Sequence, residues 1–366
     1  MTTGGDFPAP PSIGAPVPWF AAPTDVNRRF HLHTAAGRWI MLAFIGSLRA
    51  PQVAPFLEKF AEKRHLFDDR AASFFGVGVD PSEEADLATA LPGVRYFRDY
   101  DRSVSRLFGA AREADASYRP FVLILDRTLR VTDAASITQA DHIFDRLEAR
   151  MGPEGDPPIT EHPPVLIAPR IFDADLCARL VAYFHAAAPT PSGFMREVDG
   201  RTVPILDHSF KSRKDATITD EALRIETQAR VRERLIPMVE RAFGWRATRM
   251  ERYIVARYGA DEEGHFNPHR DNTTRGTAHR KFAVTINLNA EDYEGGDLRF
   301  PEFGQRTYRA PTGGAVVFGC GLLHEATRVT RGDRFAFLPF LYDEAGAKLR
   351  ESNAAFVDNS ASEYRA

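Results

Sequence analysis

The sequence predicts two domains in one chain: an α/β domain whose sheet is covered on both faces, then a β-sandwich or jelly roll entered through helices. Three observations carry this. Up to about residue 150, short apolar runs alternate with stretches of helical period. A seam rich in Pro and Gly, "MGPEGDPPITEHPPVL" at 151–166, then interrupts any regular structure, because Pro removes backbone donors and restricts its neighbour. From residue 248 onward, short strand-like runs follow one another, each separated by Gly, Pro or charged residues. A length of 366 residues fits two domains.

In the first half, "PAPPSIGAPVPWF" and its surroundings, up to about residue 25, read as a loosely held arm. "GRWIMLAFIG" (37–46) is a buried strand, apolar throughout and ended by Gly. "PQVAPFLEKFAEKRHLF" (51–67) carries Phe56, Leu57, Phe60 and Leu66 as a helical stripe. "ASFFGVGVD" (72–80) is a second buried strand, followed by polar helix candidates at 82–90 and 101–109. "RPFVLILD" (119–126) and "LRVTDA" (129–134) are two strands with a tight connection. "TQADHIFDRLEARM" (138–151) places Ile143, Phe144, Leu147 and Met151 on one helical face, with Thr138 as its cap. Strands alternating with helices predict a sheet with helices on both faces.

The second half opens with "VLIAPRIFDADLCARLVAYFHA", in which Asp173 caps a helix burying Leu176, Leu180, Val181 and Phe184. A second helix starts at Thr219 as cap, has acidic residues in its first turn, kinks at Pro237 and stops at Gly244. Between the two, 189–218 reads as a long polar loop. Then come "TRMERYIVARYG", "HFNPHRDN", "RKFAVTINLN", "GGDLRFP", "GGAVVFG", "LLHEATRV" and "RFAFLPFLY". In "RKFAVTINLN", Phe282, Val284, Ile286 and Leu288 fall on one face and Ala283, Thr285 and Asn287 on the other. Many short strands with turn signals predict a sandwich or jelly roll.

Composition narrows the function classes. A net charge of −3 gives no electrostatic basis for binding nucleic acid or an acidic membrane. Two distant cysteines, Cys177 and Cys320, exclude a disulfide framework and a Cys-rich metal knuckle, and fit a reducing cytoplasm. No run reads as a secretory signal or a membrane span.

The stretch "HFNPHRDN" (265–272) carries the chemistry. Along an extended strand, residues i and i+2 point to the same side, so His269 and Asp271 present an imidazole and a carboxylate to one point. An isolated His-x-Asp is common by chance, and a third ligand must come from elsewhere. His324, in "GLLHEATRV", is the best candidate. Two His and one carboxylate on one face leave open positions that suit non-haem Fe(II) and oxygen chemistry.

The set "YGADEEGHFNPHRDN…GGDLRFP…GGAVVFGCGLLHEATRVTRGDRFAF" resembles the 2-oxoglutarate- and Fe(II)-dependent oxygenases, in particular the prolyl-4-hydroxylase-like branch, over roughly 165–343. The resemblance implies a double-stranded β-helix (jelly-roll) domain with flanking helices. It implies Fe(II) held by His269, Asp271 and His324 as catalytic residues, with 2-oxoglutarate and O2 as cosubstrates and ascorbate as an optional reductant. Arg334 matches the family's basic anchor for the distal carboxylate of 2-oxoglutarate, and Tyr258 the tyrosine that donates to it; Asn287 and Thr285 lie on a strand that helps hold the cosubstrate. Turnover would release succinate and CO2 and hydroxylate a C–H bond of a prolyl or other protein residue, or of a free small molecule.

Other residues are weighed beside these. His265 reads more readily as a loop histidine near the pocket mouth than as a ligand. Asn272 is either a substrate contact or a turn cap, and His279 and Arg280 either meet an anionic substrate or start a solvated strand. "KSRK" (211–214) reads as a solvated basic loop before a substrate lid, and Cys320 as a small core residue.

The first half, roughly residues 8–150, resembles a thioredoxin-like domain in its peroxiredoxin form, through its element order, its Pro-rich opening and "YRPFVLILD". Where a peroxiredoxin carries its reactive cysteine this chain reads "GSLRAPQVAPF", and no cysteine precedes Cys177. Peroxidase chemistry needs a thiolate, so a redox-inactive scaffold or recruiting module is expected. The expected layout is therefore 1–150, α/β thioredoxin-like; 151–166, linker; 167–345, oxygenase; and 346–366, tail. The rival reading is a non-catalytic module that senses 2-oxoglutarate or serves assembly. Expected partners are a protein, peptide or small-molecule substrate and a second copy of the chain, with no nucleic acid or membrane.

Overall fold

The computed structural model describes residues 7–113, 116–139, 141–151 and 161–357. These form two compact units, Met1–His162 with Pro301–Gly304, and Pro163–Phe300 with Gln305–Ala366. Most of the expected linker (152–160) and the end of the expected tail (358–366) lie outside the described residues.

The first unit is built on five strands, β1 Trp39–Gly46, β2 Ala72–Gly78, β3 Val94–Arg98, β4 Phe121–Leu125 and β5 Val131–Ser136. They lie in the order β3–β2–β1–β4–β5, with β1, β2 and β3 parallel and β4 and β5 antiparallel to their neighbours. Parallel neighbours need crossovers that cover the faces, and every residue of β1 and β2 is buried. Phe56 of α1 (Ala54–Glu62) and Phe144 and Leu147 of α3 (Asp141–Met151) pack against Met41 and Phe74 on one face. On the other, Phe44, Phe75 and Phe97 pack with Phe20 and Phe108, the latter just after α2 (Ser103–Leu107).

Three expectations change here. The arm is pinned: Gly14 and Val17 donate their backbone N–H to Val131 and Leu129 at 2.7 and 2.9 Å. Thr138 lies in a 3₁₀ turn, Ile137–Gln139, ahead of α3, which begins at Asp141. The helix expected at 82–90 is only a 3₁₀ turn, Pro81–Glu83. The reason is that Glu83 turns inward, where its fully buried carboxylate accepts from Ser47 Oγ (2.6 Å) and from the backbone N–H of Leu48 (2.7 Å) and Arg49 (3.0 Å). This is the loop in which a peroxiredoxin would carry its thiol.

The second unit contains β6 Val165–Ala168, the hairpin β7 Phe194–Val198 and β8 Arg201–Ile205, β9 Lys211–Ser212, β10 Lys214–Thr217, β11 Arg249–Glu251, β12 Ile254–Gly259, β13 His265–His269, β14 Phe282–Asn287, β15 Leu298–Arg299, β16 Ala315–Gly319, β17 His324–Ala326, β18 Asp333–Phe337 and β19 Phe340–Tyr342. A larger antiparallel sheet runs β11–β19–β14–β18–β12–β10, and β16 joins β14 to β6. A smaller one runs β9–β13–β17–β15. Strand β6 takes residues expected in the linker, and α7 (Glu344–Asn353), capped by Asp343 onto Gly346 N at 2.7 Å, takes residues expected in the tail.

Helices α4 (Ala174–Ala186), α5 (Glu221–Arg230) and α6 (Ile236–Phe243) supply Leu176, Leu180, Phe184, Leu223 and Val239 to a core shared with Val255, Val284, Ile286 and Phe337 of the larger sheet. Asp173 caps α4 as expected, whereas α5 is capped by Asp220 and not by Thr219. Pro237 sits in the first turn of α6, behind a π-helical turn, Val231–Leu235, which accommodates its missing N–H. Gly244 closes α6 at φ +63°. Since Val284 and Ile286 face this helical layer, the alternation turns Ala283 and Thr285 to the sheet's other side.

Candidate metal centre and adjoining cavity

That other side faces the smaller sheet, and between the two lies a cavity lined by Tyr258, Thr285 and Arg334 from one and His269 and His324 from the other, with Asp271. Strand β13 pairs His269 with His324 of β17 across an irregular register. Asp271 lies just past the end of β13, where its N–H donates to Cys320 O at 3.0 Å. One ligand atom from each of His269, Asp271 and His324 lies within 4.8 Å of the others. Asp271 Oδ1 is 3.6 Å from His269 Nε2, and Oδ2 is 3.3 Å from His324 Nε2.

The rest of each imidazole is already assigned. His269 Nδ1 lies 2.8 Å from Asn267 O and His324 Nδ1 3.0 Å from Leu322 O. A carbonyl only accepts, so each Nδ1 carries the proton and each Nε2 lone pair is left for the centre. Phe266 stacks on His269 with centroids 3.4 Å apart, and Phe318 lies 4.5 Å from His324, so neither ring turns freely. Burial, and then the neighbouring His269, push His324 down to about 4, which keeps it neutral at pH 7. Burial alone would raise Asp271; His324, His269 and Arg280 outweigh it and hold the carboxylate well below its usual range. Two imidazole nitrogens and one carboxylate suit a divalent transition metal.

Arg334 is 2% exposed, and its Nε and Nη1 have no hydrogen-bond partner. Its guanidinium lies over the Tyr258 ring at 4.9 Å, the two residues being paired in register on β18 and β12. A buried cation with unpaired donors facing a cavity is costly without an anion, so the cavity fits a cosubstrate carboxylate. Tyr258 Oη accepts from Arg213 Nη1 at 3.2 Å, which leaves the phenolic proton for another acceptor.

The remaining expected residues divide. Thr285 lines the cavity. Asn287 does not: its amide donates to Ala310 O at 2.6 Å, so it holds the 310–314 loop. Asn272 sits in a turn beside the centre and does not line the cavity. Arg280 and His279 are not a solvated strand start; both are buried on Glu251, at 2.7 and 3.0 Å. Arg280 also stacks on Phe340 at 4.0 Å and reaches Asp271 O at 3.5 Å. His265 lies on β13, not in a loop, and is tied to the carbonyls of Glu263 (2.7 Å) and Ser209 (3.2 Å), outside the triad. Cys320 is a buried core residue.

The largest departure concerns 189–218, which folds as the β7–β8 hairpin and the strands β9 and β10. Lys211 and Arg213 are 3% and 5% exposed, not solvated. Asp215 Oδ2 accepts from Ser192 Oγ (2.6 Å), Arg213 Nη2 (2.6 Å) and Arg252 Nη2 (3.2 Å). Burial raises the Asp215 carboxyl, and Arg213, Lys211 and Arg252 pull it down to about 2. The missed signal was the two-residue period in "KSRKD", which sets Lys211, Arg213 and Asp215 on one face of an extended segment.

Comparison with known proteins agrees with this geometry. Residues 253–342 match the model of the 2OG-Fe(II) oxygenase superfamily, and residues 13–134 that of the AhpC/TSA family. The chain is 34% identical over 116 residues to mouse procollagen-lysine,2-oxoglutarate 5-dioxygenase 1, covering 30% of this chain and 15% of that protein. It is 44% identical over 52 residues to a PKHD-type hydroxylase of Shewanella frigidimarina, covering 14% of this chain and 23% of that protein. These matches span well under two thirds of either relative. Among solved structures, a prolyl hydroxylase from Trichoplax adhaerens, in complex with a peptide of hypoxia inducible factor, aligns at 17% identity over 51% of this chain and 86% of that one, with a TM-score of 0.38. Residues 253–342 thus carry the likeness to the 2OG-Fe(II) oxygenase superfamily, and residues 13–134, ahead of them, the likeness to the AhpC/TSA family.

Proposed function

We propose that this chain is an Fe(II)- and 2-oxoglutarate-dependent dioxygenase that hydroxylates a C–H bond, with its second unit folded as a double-stranded β-helix around the site. The observation that carries the reading is one cavity holding both the His269, Asp271 and His324 cluster and the buried, partly unpaired Arg334. When bound, iron with 2-oxoglutarate and O2 supplies the oxidising power, at the expense of 2-oxoglutarate, which leaves as succinate and CO2.

The chain's own residues bind and orient. His269 and His324 offer Nε2 because the carbonyls of Asn267 and Leu322 hold the proton on Nδ1. Asp271 offers an ionised carboxylate, braced through its backbone by Cys320 and Arg280. Arg334 receives the far carboxylate of 2-oxoglutarate as a charge-assisted pair, with Tyr258 donating beside it and Thr285 on the adjoining wall. Arg213 turns the Tyr258 hydroxyl toward that role. The substrate is a protein or peptide residue or a free molecule. The AhpC/TSA-family domain has no cysteine and serves by recruiting substrate or by holding copies of the chain together.

The test is succinate formation by the purified full-length protein supplied with Fe(II), O2 and 2-oxoglutarate. Succinate should appear with the wild type and vanish in His324→Ala. Absence of succinate from iron-loaded wild type, or its persistence in His324→Ala, would reject the reading.

A further inference from the structure

A second cavity adjoins the first, sharing Arg252, Phe266, His269 and Asp271 with it, and its lining is unusual for a site that takes a neutral peptide. Phe194, Phe210 and Phe266 form one apolar wall, with centroid separations of 4.6 Å between the first two and 5.8 Å between the last two. Lys211 and Arg252 also line it. The Lys211 ammonium lies over the Phe266 ring at 4.8 Å. It donates to Ser192 Oγ at 2.8 Å and to Gly193 O, both neutral, so two of its three donors are used and none meets a carboxylate.

The charges around this ammonium do not compensate it. Asp215 is the nearby acid, and it is already shared by Arg213 and Arg252. Arg280 is matched by Glu251, and Asp271 is committed to the metal centre. Burial first, and then the Arg213 guanidinium, push Lys211 well below its ordinary value; Asp215 opposes this and Arg252 adds to it. A buried lysine of this kind keeps its proton only when an anion shares its space.

Resting on the hydroxylase reading above, we propose that the substrate is a small organic anion. Its carboxylate or phosphate is received by Lys211 and Arg252, and its C–H body lies along the Phe194, Phe210 and Phe266 wall toward His269 and Asp271. A neutral prolyl peptide would give the Lys211 Nζ, in its wall of aromatic rings, no anion with which to form a charge-assisted pair, which is why the smaller, charged class is favoured.

The test uses the full-length protein and three matched probes: benzoate, phenyl phosphate and the neutral benzamide. Saturation-transfer NMR reads their binding without any metal. Relaxation enhancement by Mn(II), with 2-oxoglutarate present and O2 absent, reads their proximity to the triad. Benzoate or phenyl phosphate should bind saturably and close to Mn(II), and benzamide should not; whichever anion binds tighter identifies the group. Lys211→Met should weaken that anion by about thirty-fold or more, as expected for truncating one partner of a buried charge pair. Lys211→Arg should recover most of the loss, and both variants should bind 2-oxoglutarate as the wild type does. Equal binding of benzamide, no binding of either anion, tight binding of neutral N-acetylprolinamide, or anion binding undiminished in Lys211→Met would each overturn the proposal. Failure of Mn(II) and 2-oxoglutarate to bind would instead reject the hydroxylase reading, while the metal-free titration would still decide whether Lys211 holds an anion.

Discussion

Replacing Arg334 by Met separates binding from structure at the cosubstrate anchor. The methionine keeps an unbranched side chain against the Tyr258 ring and Gly296, near which the Arg334 stem already lies. It removes a guanidinium that is 2% exposed and has two nitrogens without partners. An unpaired buried donor costs about 1–3 kcal/mol, so the protein without cosubstrate should melt no lower than wild type, and as much as a few degrees higher. Cosubstrate binding should move the other way. Breaking a buried pair from one side costs roughly 3–5 kcal/mol, or about two to four decades in 2-oxoglutarate affinity. The assay is calorimetric titration of 2-oxoglutarate into Mn(II)-loaded protein without O2, beside a melting curve of the free protein. Mn(II) affinity measured alone should not change. An affinity within tenfold of wild type, together with a clear loss of thermal stability, would refute the reasoning and make Arg334 a structural residue.

Tyr258→Phe removes a single hydrogen bond to a charged group, about 1.5–3 kcal/mol, so it should weaken 2-oxoglutarate less than Arg334→Met does; the same titration checks the order. His269→Ala, Asp271→Ala and His324→Ala should each abolish succinate formation. His265→Ala should keep Mn(II) affinity near wild type but melt lower, because its ring ties Glu263 and Ser209. Glu251 is held down to about 2 by Arg280 and His279 against the effect of burial. Its contribution, roughly 3 kcal/mol, is therefore complete above about pH 4.5 and lost as the pH falls toward 2; acid unfolding followed by circular dichroism should show this limb, and Glu251→Gln should flatten it. With thiol reductant and peroxide, the full-length protein should consume no peroxide: the only cysteines are the buried Cys177 and Cys320, and burial pushes the Cys177 thiol up to about 11.

Much of the fold was legible because burial writes periodicity into a chain. The apolar runs of β1, β2 and β4, the stripe of α3 and the alternation of β14 all report which side of each element meets a core. His269 and Asp271 were legible for the same reason, since a two-residue spacing near an extended strand turns both side chains one way. Gly244 and Asp173 were readable as helix ends because backbone conformation and capping are local.

What the sequence determined by itself, then, was local: periods, caps, breaks, the His-x-Asp pair, and the absence of a thiol from the first unit. The tertiary structure alone decided which distant charges would be buried and against what. "KSRK" reads as solvated because four polar residues in a row predict water, yet β9 pairs with β13 and draws Lys211 and Arg213 inward. Glu83 reads as part of a polar helix, yet it is withdrawn to hold the loop after β1. Arg280 reads as the start of a solvated strand, yet Glu251, 29 positions away, buries it behind Asp271. A charge is taken out of water only when a partner from another part of the chain is already placed to meet it. That condition depends on three-dimensional proximity, to which no local window of sequence has access.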